Sequence, residues 1–210
     1  MITTAQISVF ILASSILIAT PGPNFLYVLS RGVAQGKHAA LVAVLGLGCG
    51  VLLHTSFAIL GLSALLAASS LTFRIVKYAG AAYLMFLGFQ TLHQKEFRIT
   101  TIKERNAGNH AILRQSILTS ITNPKTILFF LSFLPQFTNP AAAIILQFLL
   151  LGFIYMFLTL GIYGLLAVSS GTIGELLRRN ARNTTILRWC KGLSFIGLGV
   201  WATLPHGTHN

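Results

Sequence analysis

Aspartate is absent from this chain, and glutamate occurs only at positions 96, 104 and 175. Charged residues of either sign make up 9% of the 210 positions, whereas 54% are hydrophobic. A water-soluble domain carries roughly 25% charge, so this composition cannot dress a soluble surface and defines an integral membrane protein. The scarcity of carboxylates removes the acid–base pairs of hydrolases and the oxygen-rich sites of hard metal ions. The two cysteines, Cys49 and Cys190, are too few for a disulfide framework and have no metal-ligand spacing. They read as packing residues. His38, His93, His110, His206 and His209 share no ligand spacing with one another or with the cysteines. No metal site, cofactor or enzymatic signature is therefore expected.

What is abundant is positive charge, with fifteen Lys and Arg giving a net charge of +12. These cations lie in short segments between apolar runs, the pattern of a cytoplasmic membrane face rather than of nucleic-acid binding. Six apolar segments are predicted: 7–30, 39–66, 71–92, 117–137, 141–168 and 186–204. Each is near or above the roughly 20 residues that cross a bilayer. The first has no cation before it and stays apolar beyond Pro23, so it reads as a span rather than a leader. The loops after spans 1, 3 and 5, with the adjoining span ends, carry twelve Lys and Arg from Arg31 to Lys191. The opposite face carries Arg74 and Lys77 alone. This asymmetry predicts cytoplasmic odd-numbered loops and both termini on the periplasmic side. Arg31 is expected at the inner membrane boundary. A basic surface helix touching anionic lipid is expected at 174–188.

The chain also repeats. Arg74-x-x-Lys77 precedes the third apolar run and Arg188-x-x-Lys191 the sixth, at a common offset of 114 residues. The first and fourth runs are each broken by proline beside asparagine: "TPGPN" at 20–24 and "TNPK" at 122–125. The expected organisation is all-α, with six transmembrane helices in two inverted three-helix repeats whose helices 1 and 4 are broken. The first repeat covers 1–92 and the second, with a short tail, 111–210; a basic cytoplasmic loop at 93–110 joins them. Inverted repeats with discontinuous helices at corresponding positions are a recurring plan of secondary transporters.

Two prolines in three residues remove two backbone donors, and unpaired backbone groups in hydrocarbon cost several kcal/mol each. Pro21 lies ten residues from Arg31, roughly 15 Å at 1.5 Å per residue, which is half the hydrocarbon thickness. Asn123 lies nine residues from Arg114, so both breaks are expected at the midplane. Each creates a new helix N-terminus, with Pro23 and Asn123-Pro124 suited to opening it. Such ends attract anions, and Lys125 adds a cation deep within a span. Pro21, Gly22, Pro23, Asn24, Asn123, Pro124 and Lys125 are the expected substrate-binding residues. Lys125 and the two N-termini would take a carboxylate, while freed carbonyls near Ala19–Thr20 and Ile121–Thr122, with Asn24 and Asn123, would take an ammonium. That arrangement suits a neutral amino acid.

His54, well inside span 2, is the candidate for proton coupling, with a neutral hydrogen-bonded histidine as the alternative. Gly46-x-x-x-Gly50 is expected to allow close helix packing. Phe129, Phe130 and Phe133 are expected to face lipid or to pack.

The stretches 20–50, 78–92 and 120–137, with the Pro-Gly-Pro-Asn and Asn-Pro-Lys elements, closely resemble the lysine-exporter family of the LysE/RhtB type. The resemblance spans about Gln6 to Leu204. It implies a bacterial inner-membrane exporter of amino acids driven by an ion gradient, protons being the expected coupling ion. Many relatives have aspartate where this chain has Asn24, which points to neutral substrates such as threonine, homoserine or leucine. Other readings are a membrane thiol–disulfide relay and an exporter of metal ions or other metabolites. A relay needs cysteines near both breaks, which this chain lacks. Glycine-rich spans are compatible with a homodimer.

Overall fold

The structure, a computed structural model, describes residues 2–68, 107–138 and 143–179, with isolated helical positions between 75 and 93 and between 189 and 200. All regular structure among the described residues is helical. Helix α1 (Thr4–Ala19) opens on a capping box, Thr3 accepting from the Gln6 amide at 3.2 Å while Gln6 Oε1 accepts from the Thr3 amide at 2.8 Å. It stops where Pro21 and Pro23 withdraw two donors. Helix α2 (Pro23–Gln35) restarts the chain with Gly22 at the N-cap and Pro23 in the first turn. It ends at Gly36, whose φ of +86° only glycine adopts without strain, and α3 (Lys37–Ala68) begins at the next residue.

The second half echoes this layout. Helix α4 (Asn109–Ile121) ends at Thr122, and α5 (Pro124–Leu128) restarts behind an Asn123 N-cap. Helical winding then widens to a π-turn over Phe129–Phe133 and tightens over Leu134–Phe137. Helix α6 (Ile144–Arg179) follows. The α1–α2 pair bends by 53° and the pair Asn109–Ile121 plus Pro124–Phe137 by 47°. Helices α3 and α6 are each long and apolar enough to cross a membrane, and each bent pair supplies one further candidate span.

Helix α3 is the hub, packing against α2, α4 and α6. Its glycines set the approach. A Cβ at Gly46 or Gly50 would land inside the side chains of Ser116 or Ser120 on α4, and one at Gly48 would press on Leu160 of α6. The predicted close packing at Gly46 and Gly50 is therefore present, a small-residue contact that lets backbones approach. On the isolated positions, Gly88 and Gly192 also abut, a Cβ at Gly88 falling 2.8 Å from the Gly192 carbonyl oxygen.

One expectation needs correction. The segment 174–188 does not begin a separate surface helix, because α6 continues without a break to Arg179; residues 180–188 lie outside the described residues. Of the two alternatives for Phe129, Phe130 and Phe133, packing holds: all three are buried among Phe10, Phe137 and Tyr155. Arg31, expected at the inner membrane boundary, is fully buried within the protein. Most of the third and sixth apolar segments, the loop at 94–106, and Arg74, Lys77, Arg188, Lys191 and Cys190 lie outside the described residues.

Candidate functional site

A broken helix leaves carbonyls without helical partners on one side and amides on the other. At the end of α1, Thr20 covers the first of these locally: its amide and its hydroxyl both donate to the Ile16 carbonyl, at 3.0 and 2.7 Å. The next acceptors are met from the other half of the chain. Lys125 Nζ donates to the carbonyl oxygens of Leu17 at 2.6 Å and Thr20 at 2.9 Å. A hydrogen bond to a charged donor is about twice as strong as a neutral one, and a cation at a helix C-terminus complements the dipole. The two breaks thus meet through Lys125, which is 2% exposed. Its stem runs against Gly22, where a Cβ would come within 3.4 Å of Nζ.

At the end of α4 the arrangement is parallel. Thr122 donates from its amide and hydroxyl to the Leu118 carbonyl, at 2.9 and 2.8 Å. The Ser120 carbonyl then receives the Asn123 amide at 3.2 Å and His54 Nε2 at 2.9 Å. A carbonyl oxygen only accepts, so Nε2 carries the proton. The imidazole stacks on Phe130 with ring centroids 5.4 Å apart. Each broken helix therefore ends on a nitrogenous side chain supplied from elsewhere in the chain, Lys125 for α1 and His54 for α4.

Beyond the breaks, Asn123 Oδ1 accepts from the Lys125 amide at 3.1 Å, as its predicted N-cap role requires. Its Nδ2, and Oδ1 of Asn24, are buried without a hydrogen-bond partner among the described residues. Such orphaned polar atoms are rare in folded proteins and call for a reason. Here one is a donor and the other an acceptor. Phe10 of α1, Phe129, Phe133 and Phe137 after α5, and Tyr155 of α6 form a continuous aromatic cluster.

On the far side of the breaks, α2 and α4 are joined by polar contacts that the sequence reading missed. The Tyr27 hydroxyl donates to the Ile112 carbonyl at 3.2 Å and to Gln115 Oε1 at 3.1 Å. Arg31 donates to the same Gln115 oxygen and, at 2.8 Å, to Gln35, and lies 5.4 Å from the centre of the Tyr27 ring. Gln35 donates onward to the Ala107 carbonyl at 3.1 Å. The available signal was the helical spacing of Tyr27, Arg31 and Gln35, each four residues apart on one face.

Among the described residues no group of His, Cys, Asp or Glu could hold a metal ion. Cys49 is exposed on α3. Apolar helices, two matched breaks and a buried cation on freed carbonyls define an α-helical membrane protein built around discontinuous helices. Residues 15–204 match the family model described as LysE type translocator, and the chain belongs to that family. It is 35% identical over 136 residues to a leucine efflux protein of Enterobacter sp., covering 63% of this chain and 64% of that protein. It is 30% identical over 143 residues to a homoserine/homoserine lactone efflux protein of Salmonella typhimurium, covering 68% and 69%. A membrane protein of Pseudomonas aeruginosa is 34% identical over 201 residues, 91% of each chain. No solved structure is significantly similar.

Proposed function

We infer that the chain is a secondary exporter of small neutral amino acids, of the threonine, homoserine or leucine kind, in the bacterial inner membrane. The observation that carries this reading is Lys125, which joins the two helix breaks at one buried point. Orphaned Asn123 Nδ2 and Asn24 Oδ1 support it, since a zwitterion brings an acceptor for the one and a donor for the other. The leucine and homoserine efflux proteins among its relatives support the substrate class. In this reading six spans form two inverted repeats, both termini lie in the periplasm, and one half rocks against the other. Pro21, Gly22, Pro23, Asn24, Asn123, Pro124 and Lys125 surround the substrate. Protons drive export with His54 as the coupling residue, and the chain works as a homodimer or a monomer in contact with lipid. A thiol–disulfide relay is disfavoured because neither break carries a cysteine.

The test is amino-acid efflux from cells loaded with dipeptides that release neutral, basic or acidic amino acids. Wild type accelerates efflux of one or a few neutral members, and Lys125→Gln abolishes it at equal membrane abundance. No acceleration for any member would move the substrate outside ordinary amino acids.

A further inference from the structure

The geometry points to an ammonium site formed by the Leu17 and Thr20 carbonyl oxygens, of which the Lys125 ammonium is a tethered and displaceable occupant. The idea rests on the exporter reading and adds to it which group the substrate must displace. A primary ammonium needs oxygen acceptors in a dry site, and two converge here at 2.6 and 2.9 Å from Nζ. They are backbone oxygens that lack their i+4 partners because the prolines interrupt the ladder, the Leu17 oxygen also accepting from the Thr20 amide at 3.2 Å. Their position is fixed by the fold rather than by a rotamer. Thr20, 5% exposed, and Lys125, 2% exposed, exclude water from the pair.

A substrate amine and the lysine amine present the same chemistry to this pair, so they compete. When an amine without a carboxylate takes the carbonyls, the Lys125 ammonium is turned out into a buried site with nothing gained in exchange. A zwitterion offers it a carboxylate at the same moment. Orphaned Asn123 Nδ2, two residues from Lys125, is a further donor for that carboxylate, and orphaned Asn24 Oδ1, two residues from Gly22, a further acceptor for the incoming ammonium. Lys125 thereby sets specificity: it admits amino acids and refuses simple amines.

Removing the tethered ammonium should therefore open a site for a free one. The experiment uses full-length purified protein in detergent and follows thermal unfolding with methylammonium, tetramethylammonium or sodium chloride at equal ionic strength. Lys125→Ala is expected to gain about 3–5 °C in Tm at methylammonium roughly ten times its Kd. Wild type is expected to move by less than about 1 °C, as is Lys125→Met, whose stem still fills the space. An unshifted Lys125→Ala, an equal shift in wild type, or an equal shift with sodium would each overturn the ammonium assignment. If Lys125→Ala is recovered poorly, solubilisation with methylammonium present throughout is the same test. Monodisperse recovery with methylammonium but not tetramethylammonium supports the site, and failure with both overturns it. Since no transport is measured, a failed efflux assay and a failed ammonium site remain distinguishable.

Discussion

His54 of α3 donates from Nε2 to the carbonyl oxygen of Ser120 at 2.9 Å, so the end of the first half of the second broken helix is held by a residue from another element. Ser120 returns the contact weakly, its hydroxyl lying 3.4 Å from the Leu47 carbonyl of α3. Both bonds pass where Gly50 lets α3 and α4 close together. The capping function and the proton-coupling function proposed for His54 separate by chemistry. A glutamine keeps an N–H donor for the carbonyl but does not titrate. His54→Gln is therefore expected to reach wild-type abundance and to unfold within about 2 °C of wild type, consistent with retention of one neutral hydrogen bond. Its efflux should no longer respond to an imposed pH gradient. Undiminished gradient-driven efflux would leave His54 a cap alone.

Gln115 is the acceptor shared by Tyr27 and Arg31, and a buried charged donor that loses an acceptor is costly. Gln115→Ala should destabilise the protein by about 1.5–3 kcal/mol, seen as a Tm lower by several degrees. A double-mutant cycle with Tyr27→Phe should return a coupling of about 0.5–1.5 kcal/mol, because the two side chains share one oxygen. Additive losses would show that the Tyr27 hydroxyl draws its stability from the Ile112 carbonyl instead.

Much of this arrangement was legible before the structure. The breaks, the caps at Pro23, Asn123 and Pro124 and the close packing at Gly46 and Gly50 follow from residue types whose backbone consequences are local and strong. What was not legible depends on partners distant in sequence. The burial of Arg31 was not legible because charge counting takes no account of Gln115, 84 residues away, which gives it an acceptor inside the protein. The contacts of Lys125 with the Leu17 and Thr20 carbonyls were not legible either, because a break creates acceptors as well as donors and these lay within its reach. The phenylalanines after Lys125 follow a helical spacing that does not tell lipid from core. Contacts with α1 and α6 decided the matter.

The glycines divide into two classes that a single substitution distinguishes. A Cβ at Gly46 would fall inside the Ser116 side chain and 2.7 Å from the Leu113 carbonyl oxygen, whereas nothing lies within 4 Å of one at Gly161. Gly46→Ala should destabilise by about 1–3 kcal/mol through overpacking. Gly161→Ala, in the middle of α6, should be neutral or slightly stabilising, by up to about 1 kcal/mol from helix propensity. Thermal unfolding of the two variants in the same detergent checks the contrast. Equal behaviour would mean that α3 and α4 separate at little cost.

Asn24 offers the sharpest test of substrate charge. Its Oδ1 is buried and accepts no hydrogen bond among the described residues, at a residue 4% exposed and two positions from Gly22. Asn24→Asp changes few atoms but adds a negative charge beside the break, and a buried carboxylate is tolerated only when paired. Lys125 is the cation nearest in the chemistry of the site, and a substrate with a second positive charge is the other candidate to pair with it. The variant is therefore expected to lose efflux of neutral amino acids by about tenfold or more, as Lys125 is drawn away from the substrate carboxylate. It should also gain measurable efflux of lysine or ornithine in the same dipeptide-loading assay, where wild type has none. Unchanged preference for neutral substrates would place Asn24 outside the substrate's reach. It would leave the orphaned oxygen as a packing defect of the break.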